Sequence, residues 1–77
     1  MTLDSLSIGS EAVITSVKGV GLPRLRLLDM GLTPRTTVKI RKTAPLGDPV
    51  QIQLRGYELT VHKQELEAVE VVLVKRG

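Results

Sequence analysis

The sequence predicts an all-β fold: a small, strongly bent, five-stranded barrel of the SH3-like kind, with one short helix inserted after the first strand. Three observations carry this. Five short stretches rich in Val, Ile, Leu and Thr alternate in the manner of half-buried strands. One stretch, Arg26-Leu27-Leu28-Asp29-Met30-Gly31-Leu32-Thr33-Pro34, joins a helical run, a Gly stop and a Pro turn in direct succession. The chain has 77 residues, so residues 1–77 make a single domain, and closing its sheet would hide the strand edges.

Taken in order, Leu3, Leu6 and Ile8 precede Gly9-Ser10 and can lay an apolar edge on the barrel as a single helical turn. Glu11 to Val17 is the first strand, with Ala12, Ile14 and Ser16 alternating against Val13, Thr15 and Val17. Lys18-Gly19-Val20-Gly21-Leu22 is a flexible, partly apolar loop whose two glycines point to unusual backbone angles or a close approach. The helix follows. Pro23 suits its first position, where the missing N–H is not needed, and Gly31 suits the left-handed residue just past its end. Thr33-Pro34 turns the chain into the strand Thr36 to Thr43, with Val38 and Ile40 on one face and Thr37, Lys39 and Arg41 on the other.

Ala44-Pro45-Leu46-Gly47-Asp48-Pro49 is a loop, and Asp48 there can bond the backbone of its own turn. Val50 to Leu54 is the cleanest alternation in the chain; Arg55-Gly56 makes a tight hairpin, and Tyr57 to Val61 answers with the same period. His62 to Glu67 is polar and long enough for about one helical turn. Val69 to Val74 is the last strand, and Lys75-Arg76-Gly77 a frayed tail.

Composition narrows the functional classes. Hydrophobic residues make up 42% of the chain, but Tyr57 is its one aromatic, so the core is built from Leu, Val and Ile. Such a core leaves a margin of about 3–5 kcal/mol. There is no cysteine, hence no disulfide and no thiolate metal site. The N-terminal residues lack the basic start and apolar run of a signal peptide, and no stretch reaches the roughly 18–20 apolar residues of a bilayer span. A soluble chain without direct membrane insertion is expected. The net charge of +3 falls short of the dense basic footprint of a nucleic-acid binder.

The helix end Arg26 to Pro34, the loop Ala44 to Pro49 and the hairpin Arg55-Gly56-Tyr57-Glu58-Leu59 together resemble the FeoA family, ferrous iron transport protein A. The likeness runs from about Leu6 to Val74, and Gly31, Pro34, Gly47, Asp48 and Pro49 carry its turn and fold signature. The family usually has Gly after the Pro of the turn, where Arg35 stands here; Pro-Arg fits a type I turn, since a side chain at positive φ is costly. The resemblance implies an SH3-like barrel in the cytoplasm that docks on and modulates FeoB, a membrane ferrous iron transporter with a cytosolic GTP-binding domain. Similar domains end iron-dependent repressors of the diphtheria toxin repressor type; with no helix-turn-helix here, the stand-alone form is expected.

At about 100° per residue, Leu27 and Met30 share one side of the helix and Leu25 and Leu28 the other. The family's apolar positions assign Leu27 and Met30 to the core. Val20, Leu22, Leu25 and Leu28 then form a candidate partner-contact patch, unless the Gly19–Leu22 loop folds over them. Arg35, Lys39, Arg41 and Lys42 form a candidate basic surface, which would steer an acidic protein or bind nucleic acid. Arg26 and Asp29 have the spacing of a helix ion pair. His62 is the single histidine, and one imidazole with scattered carboxylates makes no ligand cluster, so no metal site or cofactor is expected. No nucleophile–base–acid grouping or phosphate-binding Gly motif is present, and no enzyme is expected. A small nucleic-acid-binding barrel and a metal-responsive module stand as the alternatives to the transporter accessory.

Overall fold

The computed structural model describes residues 1–74; the predicted frayed tail, Lys75-Arg76-Gly77, lies outside the described residues. Strands β1 (Glu11–Val17), β2 (Thr37–Thr43), β3 (Val50–Leu54), β4 (Tyr57–Val61) and β5 (Val69–Leu73) form one antiparallel sheet in the order β4-β3-β2-β1-β5. Helix α1 (Gly21–Asp29) connects β1 to β2, a short helix α2 (Lys63–Leu66) connects β4 to β5, and a 3-10 turn (Leu3–Ser5) precedes β1. The alternating residues Ala12, Ile14, Val38, Ile40, Ile52, Leu54 and Val71 meet Leu3, Leu27, Leu32 and Leu66 in a single buried cluster. Its content is aliphatic throughout, as the composition requires.

Two β-bulges bend the sheet and reset which residues face inward. The β1–β5 register shifts between Ile14 and Ser16, so Val17, three residues after Ile14, is buried as well. The β2–β3 register shifts between Ile40 and Lys42, so Lys42 does not follow Val38 and Ile40 into the core. It lies opposite Gln51, as Lys39 lies opposite Gln53. The hairpin between β3 and β4 is tight, with Leu54 paired to Tyr57 and both Arg55 and Gly56 at positive φ.

The hydrogen-bonded ladder ends at β4 and β5, where full closure would have left no edge. The N-terminus covers part of the β5 edge: Val71 N–H donates to Met1 O at 2.9 Å, and Thr2 bridges to Glu70. The 3-10 turn contacts both α2 and β5, with Leu3 and Leu66 buried, so the barrel is completed by helical side chains rather than by a further ladder.

The turn before β2 also differs from expectation. Arg35 has φ 73, the left-handed third residue of a type II turn, rather than type I geometry. Backbone bonds to β1 impose it: Arg35 N–H donates to Ile14 O at 2.7 Å, and Ile14 N–H to Thr36 O at 2.9 Å. Thr36 N–H closes the turn on Thr33 O at 3.2 Å, and the two threonine hydroxyls lie 2.9 Å apart. These bonds outweigh the preference of the arginine side chain.

Candidate functional site

Helix α1 is divided around its axis: Arg24, Leu27, Leu28 and Met30 turn toward the body of the domain, and Leu22, Leu25, Arg26 and Asp29 toward solvent. It opens at Gly21, whose φ of 71 lets the chain enter the helix two residues before Pro23. Pro23 therefore sits third, still within the first turn where N–H groups have no intrahelical partner. At the C-terminal end Leu27 is buried, while Leu28 and Met30 are partly buried against the core. At the N-terminal end Val20 is 85% exposed, Leu22 80% and Leu25 51%. The expected patch is thus corrected at Leu28, which serves the core together with Leu27 and Met30. The Gly19–Leu22 loop leaves Leu22 and Leu25 uncovered.

The C-terminal end is pinned. Gly31 takes φ 101, and the Tyr57 hydroxyl donates to Met30 O at 2.7 Å, capping the helix from β4. A methyl group on Gly31 would overlap that hydroxyl. Tyr57 therefore acts as a cap on α1, a role that its solitary place in the sequence does not announce.

Between α1 and α2 runs a groove of about 1000 Å³, lined among others by Leu22, Leu25, Met30, His62, Gln64 and Ala68. Glu65 ties its two walls together. Its Oε1 meets Arg26 Nη1 at 3.4 Å, and its Oε2 accepts from His62 N–H at 3.2 Å. Arg26 thus reaches across to α2 instead of pairing with Asp29 along its own helix. At the groove's base Lys18 N–H donates to Ala68 O at 2.7 Å, and Arg24 Nε donates to Val17 O at 3.0 Å. Lys18 Nζ also lies 2.8 Å from Glu70 Oε1 on β5. The hydrogen bond from the Lys18 ammonium, with its charge and that of the N-terminus, holds the Glu70 carboxyl below its ordinary value of 4.5 despite an opposing effect of burial.

The other sequence candidates lie elsewhere. Asp48 does not bond its own turn; its Oδ1 accepts from Lys63 N–H at 2.8 Å and so caps the first turn of α2. His62 precedes α2 with an exposed side chain, Nδ1 3.6 Å from Asp48 Oδ2. Among the described residues no group of three or more His, Cys, Asp or Glu could hold a metal ion. Lys39, Arg41 and Lys42 share the outer face of β2, and Arg35 stands at the turn leading into it. That strip is interrupted by acid: Arg41 Nε pairs with Glu58 Oε2 at 3.5 Å, and Glu11 lies opposite Lys39.

The groove's polar clasps could not be read from composition. The step from His62 to Glu65 has the spacing of a capped helix start, which is a local signal for α2. The Lys18–Glu70 and Arg26–Glu65 pairs depend on strand register and helix placement, and no local pattern encodes them.

Residues 1–73 match the FeoA domain family. The chain belongs to the FeoA family. It is 35% identical over 74 residues to the Fe(2+) transport protein A/Fe(2+) transporter FeoB fusion protein of Porphyromonas gingivalis; the match covers 96% of this chain and 9% of the length of the fusion. Among solved structures, the FeoA-like protein from Clostridium acetobutylicum superposes with a TM-score of 0.92 at 28% identity, covering 100% of this chain and 90% of that one. Stenotrophomonas maltophilia FeoA, complexed with zinc and described as an SH3 domain protein, superposes with a TM-score of 0.82 at 25% identity, covering 94% of this chain and 89% of that one. The SH3-like fold expected from the alternating strands and the FeoA resemblance is the fold observed, and the family is linked to ferrous iron transport. No helix among the described residues is long and apolar enough to cross a membrane.

Proposed function

We propose that this FeoA domain is an accessory module of ferrous iron uptake that docks on the cytosolic GTP-binding part of a FeoB-type transporter and modulates its activity. The observation that carries the reading is the α1 groove. A domain whose core is small leaves Val20, Leu22 and Leu25 exposed beside a cleft whose walls the Arg26–Glu65 pair ties together. The relative in which FeoA and FeoB share one polypeptide supports the choice of partner, because fusion keeps two interacting modules at high effective concentration. The exposed leucines on its wall support recognition as the role of the groove.

The test is an amide-resonance titration of labelled protein with the transporter's GTP-binding part, with and without nucleotide. Perturbations should cluster on Lys18–Leu28 and on His62–Ala68. Leu22→Ser with Leu25→Ser should leave the fold intact, since both side chains are exposed. Burying four-fifths of one leucine and half of the other contributes about 2–3 kcal/mol at about 2 kcal/mol per leucine. The double variant should therefore bind roughly 50-fold more weakly. Unchanged binding would remove the groove from the interface, and a loss produced instead by Lys39→Ala with Arg41→Ala would move it to β2.

A further inference from the structure

Among the described residues, the two non-glycine residues with positive φ are both arginines: Arg35, with φ 73, and Arg55, with φ 45. At both positions glycine or asparagine fits the left-handed backbone better. The fold also brings them together. Arg55 Nη2 donates to Thr36 Oγ1 at 3.0 Å, and Thr36 directly follows Arg35. The anchor is rigid, because Thr36 is 2% exposed and its hydroxyl also meets that of Thr33. Neither guanidinium has a carboxylate within ion-pair distance among the described residues, whereas Lys18, Arg26 and Arg41 each do.

We infer that Arg35 and Arg55 form an oxyanion-binding pair that takes carboxylate side chains of an acidic protein segment. The fold sets both backbone angles, but an arginine at each is costlier than glycine, which turns attention to what the two side chains present. A guanidinium presents a planar fork of N–H donors, and the bond of Arg55 to a buried hydroxyl restricts its side chain before a carboxylate arrives. A nucleic-acid backbone fits less well. Single-strand binding adds aromatic platforms on which bases stack, and Tyr57, the one aromatic of the chain, is tied by its hydroxyl to Met30 O. Carboxylate side chains need no such platform.

The pair also adjoins the groove. Tyr57, two residues beyond Arg55, bonds the carbonyl of Met30, and Met30 lines the groove wall. That one partner spans both sites rests on the docking reading above; the oxyanion pair itself does not.

The decisive experiment follows the arginine Nε–Hε resonances of labelled full chain during titration with a capped oligoglutamate peptide. Arg35 and Arg55 should shift saturably, and Arg26 and Arg41, which already hold carboxylates, should not. In Arg35→Gly with Arg55→Asn the peptide should bind about tenfold more weakly. Both substitutions suit a left-handed backbone, so an unchanged amide spectrum elsewhere will certify the fold. Equal shifts at all arginines, or undiminished binding by the double variant, would overturn the inference. So would single-stranded RNA binding more tightly than the peptide at the same two residues. A second arm measures association with the transporter's GTP-binding part. The double variant should associate about tenfold more slowly than wild type at low salt, and the two should converge at high salt. If wild type failed to bind the transporter part while the peptide result held, the docking reading alone would fall.

Discussion

Gly31→Ala, made alone and with Tyr57→Phe, tests the cap that holds α1 in place. Alanine at φ 101 costs about 1–2 kcal/mol, partly offset by about 0.5–1 kcal/mol because glycine loses more freedom on folding. Its methyl group also displaces the Tyr57 hydroxyl and forfeits that group's bond to Met30 O, a further cost of about 1 kcal/mol. Gly31→Ala should therefore cost about 2 kcal/mol, a large part of a margin of about 3–5 kcal/mol. Tyr57→Phe alone should cost about 1 kcal/mol. In the double variant the hydroxyl is gone, and the methyl meets Leu54 Cδ1 at 3.4 Å and the ring Cζ at 3.5 Å, which is ordinary contact. Tyr57→Phe should then cost almost nothing in the Gly31→Ala background, a coupling of about 1 kcal/mol. Urea unfolding at constant m-value reads all four corners of the cycle. If Tyr57→Phe costs the same in both backgrounds, the hydroxyl and Gly31 do not share one space, and the cap described here is wrong.

Two further outcomes follow from the electrostatics and the strained turn. Glu70 has a depressed pKa in the folded chain, so its contribution is present above its ordinary value of 4.5 and is lost as pH falls through the depressed one. The stability difference between wild type and Glu70→Gln should thus be largest near neutral pH and shrink on acidification below about 4.5; a difference that is flat in pH would mean that Lys18 does not stabilise the carboxylate. Arg35→Gly removes a left-handed penalty of about 1–2 kcal/mol and adds about 0.5–1 kcal/mol of unfolded-state freedom. It should stabilise the fold by about 0.5–1 kcal/mol, raising Tm by a few degrees, and a destabilised variant would show that the arginine side chain itself holds the turn.

The strands were legible because each satisfies a local rule: Val50-Gln51-Ile52-Gln53-Leu54 and its partner across Arg55-Gly56 alternate without a break, and their pairing follows. Where local rules failed, a non-local bond prevailed. Strict alternation would turn Val17 outward and Lys42 inward, and a bulge in each strand reverses both. The side chain of Arg35 favours type I, but the bonds exchanged with Ile14 set the angle. Asp48 was read as a turn former, but the amide of Lys63, remote in sequence, claims its carboxylate. Each miss concerns a contact between segments that the sequence does not place side by side.

The helix shows why the patch was only partly legible. Periodicity assigns faces around an axis, and the core-facing arc of α1 is wide enough to take Leu28 as well as Leu27 and Met30. Helix α1 is held at one end by Leu27, the Tyr57 cap and the buried Leu32, and at the other by Arg24 on Val17 O and Lys18 on Ala68 O. The core-facing arc runs from Met30 through Leu27 to Leu28, so Leu28 lies at its edge and packs on the core, while Arg26 and Asp29 on the opposite side stay exposed. The N-terminal half of α1 is held by polar bonds, which leave Val20, Leu22 and Leu25 with little to do for stability. Polar residues there would fold as well, so the case for recognition is strongest at Leu22 and Leu25, where the groove supplies the surface that a partner would complete.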